Sequence, residues 1–104
     1  MFKVNQTDKR GKTALHKAAK EGHRIITELL LSHPAVAINA QDSLGQTALH
    51  IAVKEDNMNI VRCLLEEDKI DINIRDSFGN GTISIASKSG FLQIFDLFKF
   101  GKLI

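Results

Sequence analysis

At 104 residues, with 43% hydrophobic and 25% charged side chains, the chain has the length and balance of one ordinary globular domain, which excludes a disordered or collagen-like polymer. A formal charge of +2 is too weak a field to argue for nucleic acid or an anionic membrane as the partner. No apolar run approaches the roughly 20 residues that span a bilayer, and the opening Met1-Phe2-Lys3-Val4-Asn5-Gln6 has no basic segment leading into an apolar stretch, so neither membrane insertion nor a secretory signal is expected.

The chain repeats itself. Thr13-Ala14-Leu15-His16-Lys17-Ala18 returns 34 residues later as Thr47-Ala48-Leu49-His50-Ile51-Ala52. The same spacing relates Asn5, Asn39 and Asn73; Asp8, Asp42 and Asp76; Gly11, Gly45 and Gly79; and Ala18, Ala52 and Ala86. Such a period signals stacked supersecondary units that bury their apolar faces only against one another. A single domain over residues 1–104 is expected, with 1–7 as the tail of an incomplete preceding unit. Residues 8–41 and 42–75 form two full units, and 76–104 a divergent, truncated third.

Each unit reads as turn, helix, tight link, helix and extended arm. In the first, Asp8 and Gly11 supply turn chemistry, and Thr13 stands where a helix N-cap is wanted. Gly22 is placed to end that helix. Ile26, Leu29, Leu30 and Leu31 are expected to form the buried stripe of a second helix, which Pro34 stops. In the second unit, Asp42-Ser43-Leu44-Gly45-Gln46 is the turn and Thr47 the cap, with Asp56 a less comfortable helix end than glycine. Ile60, Val61, Leu64 and Leu65 follow the rhythm of a buried stripe. Cys63 cannot form an internal disulfide and is expected to be a reduced thiol lining the core, in a reducing compartment such as the cytosol. Ile70-Asp71-Ile72-Asn73-Ile74 alternates at period two and suits an extended arm. Arm and following turn make a hairpin-like finger, so strand content should be minimal. In the third unit Gly81-Thr82-Ile83-Ser84 keeps the register and loses the motif. Its Phe91, Phe95, Phe98 and Phe100 leave an apolar end that further repeats, a partner or a second copy would cover.

This pattern resembles the ankyrin repeat over essentially the whole chain. The family's Asp-x-x-Gly-x-Thr-Pro-Leu-His-x-Ala-Ala and Gly-His are carried by Asp8, Gly11, Thr13, Leu15, His16, Ala18, Ala19, Gly22 and His23, and again by Asp42, Gly45, Thr47, Leu49, His50 and Ala52. Alanine replaces the family's proline at Ala14 and Ala48, and each unit exceeds the usual length of about 33 residues by one. The extra residue fits best in the loops at 32–36 and 66–70. The resemblance implies an all-α solenoid of stacked helix-turn-helix units with β-hairpin-like finger loops. It also implies that Thr13, His16, Thr47 and His50 are scaffold, each histidine bonding its motif threonine and neighbouring backbone.

The residues carry little chemistry of their own. His16 and His50 sit on helices stacked roughly 8–10 Å apart, too far to share a zinc at about 2.0–2.1 Å per ligand, and His23 and His33 have no partner at ligand spacing. Gly79-Asn80-Gly81 lacks the lysine and hydroxyl ending of a phosphate loop. Lys9, Arg10 and Lys12 form a basic cluster without aromatic interleaving, a poor basis for nucleic-acid binding. No catalytic group, metal or cofactor is expected.

The resemblance implies a protein-binding module that works through finger tips and the concave helix face. In this register those positions are Lys9, Arg10, Lys12, Lys20 and Glu21; Ser43, Leu44, Gln46, Lys54 and Glu55; and Ser77, Phe78, Asn80 and Lys88. Arg10, Leu44 and Phe78 are one position in three units and should line up along one edge. Two alternatives stand beside this. The segment 65–73 resembles the pattern that asparaginyl hydroxylases modify in such fingers, with Asn73 as acceptor. The block could also be the targeting or scaffolding part of a larger effector, channel or enzyme. A cytoplasmic location is expected, or the host cytosol for a secreted effector.

Overall fold

A computed structural model of the chain describes residues 3–89. Five helices follow in order: α1 (Ala14–Glu21), α2 (Arg24–Leu31), α3 (Ala48–Lys54), α4 (Met58–Leu65) and α5 (Thr82–Ser89). No strand forms among the described residues. Helices α1, α3 and α5 pack in series as one row, α2 packs on α4 as a second, and α1–α2 and α3–α4 are the paired helices of the first two units.

Of the inner row α1, α3 and α5, the first two helices start where a threonine can satisfy orphan backbone donors. Thr13 Oγ1 accepts from the His16 N–H while His16 Nδ1 accepts from the Thr13 N–H, a capping box in which histidine replaces the usual Glu or Gln. Thr47 and His50 repeat it. Gly22 ends α1 at φ 71°. At the corresponding place after α3, Asp56 adopts φ 56°, the only described non-glycine residue with positive φ. That conformation disfavours L-residues by roughly 1–2 kcal/mol. The neighbouring Asn57 secures the link by donating to the Ala19 carbonyl at 2.7 Å, so the turn of one unit locks onto the helix end of the unit before it.

Alanines set the spacing of the inner row: Ala18, Ala19, Ala52 and Ala86 are buried, with Leu15, Leu49 and Val53 filling the space around them. Ile60, Val61 and Leu64 anchor the outer row. The arms add Val4 and Ile38 to the core and are pinned by asparagine side chains. Asn5 accepts from the Ala37 N–H at 2.7 Å and donates to the Ala35 carbonyl at 2.8 Å; Asn39 likewise accepts from the Asp71 N–H and donates to the Lys69 carbonyl. Those loops are built from successive tight turns in both units.

Two expectations about burial need correction. Ile26 and Leu29 are 48% and 67% exposed, together with Ile25, because they face the side of α2 on which no described helix stacks. Ile60, equivalent to Ile26, is 1% exposed. Cys63, equivalent to Leu29, is only partly buried instead of lining the core, with Sγ 4.0 Å from Glu28 Oε1; burial and that carboxylate push its thiol pKa up. Gly90 and the phenylalanines from Phe91 to Phe100 lie outside the described residues.

Candidate functional site: the finger edge and the concave clefts

Each finger is organised by its aspartate. Asp42 Oδ1 accepts from the Leu44 and Gln46 N–H groups at 3.0 and 2.9 Å, and the Asp42 N–H donates to the Gln46 carbonyl at 2.9 Å. Asp8 holds Arg10 and Lys12 in the same way, and Asp76 holds Phe78 and Asn80. A glycine then turns the chain at positive φ in all three fingers. The Ser43 N–H donates to the Arg10 carbonyl and the Ser77 N–H to the Leu44 carbonyl, both at 2.9 Å, so the fingers are bonded side by side through backbone. With backbone groups engaged, the tip side chains project outward. Leu44 is 48% and Phe78 73% exposed, and Arg10 is also exposed.

The buried histidines tie each inner helix to the next finger. His16 Nε2 lies 2.8 Å from the Gln46 carbonyl and His50 Nε2 3.0 Å from the Asn80 carbonyl. Since Nδ1 of each ring accepts a backbone N–H, the proton belongs on Nε2, which donates across the junction. Burial lowers the His16 pKa, against an opposing pull from the Gln46 carbonyl.

The charges at the two junctions differ. At the first, Lys12 Nζ sits 2.7 Å from Asp42 Oδ2. Burial alone would push the Asp42 carboxyl up, but the ammonium and the backbone donors of Gln46 and Leu44 outweigh it and hold the carboxyl below its ordinary pKa. Asp8, in the open first finger, is also held low, chiefly by the Lys12 and Arg10 N–H groups. At the second junction Gln46 occupies the position of Lys12, and no ion pair to Asp76 forms among the described residues.

Among the described residues, two clefts lie between the fingers and the inner helices. Lys12, Lys20, Gln46, Ile51, Lys54 and Glu55 line one of about 150 Å³. Leu44, Gln46, Lys54, Asp76, Phe78, Asn80 and Ile85 line another of about 300 Å³. Lys20, Lys54 and Lys88 recur in the last turns of the inner helices, where a cation also complements the helix dipole. Lys9, Glu21, Ser43 and Ser77 are exposed but line neither cleft. Gln46 departs from its expected exposed place: it is 6% exposed, because its backbone closes the finger and receives His16. Lys12 is partly buried and engaged by Asp42 instead of being freely solvated. Ile51, Ile85 and Asp76 also line the clefts, although they were not among the positions expected there; for the two isoleucines the signal available was the change from Lys17 at the equivalent helix position.

Among the described residues, no group of three or more His, Cys, Asp or Glu side chains is arranged to hold a metal, and no helix is long and apolar enough to cross a membrane. The family model for ankyrin repeats in three copies matches residues 1–76, and the chain belongs to the ankyrin-repeat family. Ankyrin repeats generally act as protein-protein interaction modules and are typically non-catalytic. No curated protein sequence matches the chain.

Proposed function

We propose that this chain is a non-catalytic binding module that engages a partner protein along the finger edge and the concave clefts behind it. The observation that carries this is the exposure of two large apolar side chains, Leu44 and Phe78, at equivalent tips whose backbones are bonded together. Scattered exposed apolar residues are ordinary. Here, however, the pair is presented in register on a preorganised edge, which reduces the ordering cost of association. Aromatic side chains of this kind are enriched among interface hot spots.

The double substitution Leu44→Ser and Phe78→Ser tests this. Stability should stay within about 0.5 kcal/mol of the parent, as for surface changes that break no buried contact, while a protein captured by the parent from a cell lysate should no longer be retained. A sharp fall in melting temperature would instead make the two residues packing elements and sink the contact role.

A second reading, as substrate of an asparaginyl hydroxylase, draws on the exposure of Asn73. Its equivalent Asn39 is partly buried, with both ends of its amide bonded to the following loop. Incubation with such an enzyme should add one oxygen to the intact mass of the parent and not of Asn73→Ala. An unchanged parent mass removes this reading.

A further inference from the structure

The two finger junctions are equivalent in backbone and unequal in charge. At the first, a buried aspartate receives a lysine from within the chain: Lys12 Nζ rests on Asp42 Oδ2 while Asp42 Oδ1 accepts two finger N–H groups. At the second, Asp76 Oδ1 accepts the same two bonds, from Phe78 and Asn80, both at 2.9 Å. Asp76 is only 9% exposed, yet Gln46 stands where the lysine would be, and no bond to Asp76 Oδ2 is made among the described residues. No side-chain oxygen of the described residues is both fully buried and unpartnered, so Oδ2 must reach solvent, and Asp76 lines the 300 Å³ cleft.

We propose that this cleft is a receptor for one cationic side chain, lysine or arginine, of the partner protein. The inference rests on the finger edge being the contact surface and assigns the chemistry it reads. The incoming cation repeats at Asp76 what Lys12 does at Asp42. Its aliphatic stem lies along Leu44 and Phe78, and the Phe78 ring offers a face to the charge. Lys54 lines the same cleft, as does Lys88 the neighbourhood of its rim, 3.4 Å from Asn80 Oδ1. Nearby ammonium groups do not by themselves bar a cation: at the first junction Lys12 reaches Asp42 while Lys20 and Lys54 line the adjoining cleft, there together with the Glu55 carboxylate. The size of the pocket, at the bottom of the roughly 300–1,000 Å³ range of ligand sites, suits one side chain better than a cofactor.

The test is a nuclear magnetic resonance titration of the nitrogen-15-labelled chain with N-acetyl-arginine amide, using the N-acetyl amides of glutamine and glutamate as neutral and anionic controls. The arginine probe should move the Phe78 and Asn80 amide signals saturably, with affinity about fivefold or more above that of the glutamine probe. Asp76→Asn should abolish that preference. So should Gln46→Lys, which supplies an internal lysine and leaves the finger aspartate in place, so a folding defect in the first variant cannot account for both. Equal binding of the arginine and glutamine probes, tighter binding of the glutamate probe, or undiminished arginine binding by Gln46→Lys would overturn the proposal. The wider contact surface is judged separately, by partner capture with the Leu44→Ser, Phe78→Ser variant.

Discussion

Ile60→Ala should destabilise the protein by about 2–5 kcal/mol, the range for removing a large aliphatic side chain from a closed core. Ile26→Ala, the same substitution one unit earlier, should cost less than about 1 kcal/mol, as most partly exposed sites do. The side chains are identical and the positions equivalent, but Ile60 is 1% exposed on α4, a helix packed against both α2 and α3, whereas Ile26 is 48% exposed. Truncating Ile60 leaves a cavity lined by fixed neighbours, which cannot all move in to recover lost dispersion contacts. Truncating Ile26 mostly exchanges an exposed side chain for water. Urea unfolding would separate the two as a large fall in midpoint for Ile60→Ala with unchanged m. Equal shifts would show that the outer helices are not stacked as described.

Gly45→Ala should cost about 2–4 kcal/mol, and Gly79→Ala only about 1–2 kcal/mol. Both glycines turn a finger at positive φ, 74° and 82°, so both alanines meet the same backbone penalty. The difference comes from the next finger. A Cβ on Gly45 would sit 2.7 Å from the Ser77 nitrogen and 3.0 Å from the Asp76 carbonyl carbon, whereas one on Gly79 meets nothing within 4 Å. Ser77 Oγ, also at 3.0 Å, can rotate away, but the two backbone atoms cannot, so the fingers themselves must part. That would strain the Ser77 to Leu44 bond and shift the edge on which Leu44 and Phe78 are presented. Matching losses of stability in the two variants would mean that the fingers are not pressed together.

The 34-residue register made the helical units, their threonine caps and the finger turns legible in advance, because each depends on residues a few positions apart. Thr13 with His16 and Thr47 with His50 show this directly, since a capping box closes over three residues. Periodicity also aligned Arg10, Leu44 and Phe78 as one position. It could not distinguish Ile26 from Ile60, because exposure depends on whether another helix lies across that face. It misplaced Gln46 for a related reason: a finger residue looks solvated until the preceding unit's histidine is stacked against it.

By itself, then, the sequence determined the repeating unit, its family and the ends of its inner helices, all consequences of short-range spacing and backbone conformational preference. The tertiary structure alone decided which repeated positions are buried, which asparagines pin arm to loop, and that Asp42 meets a lysine whereas Asp76 opens to a cleft. Those outcomes require atoms about thirty residues apart to meet, and in a stack the same residue is core or surface according to what its neighbouring unit places against it.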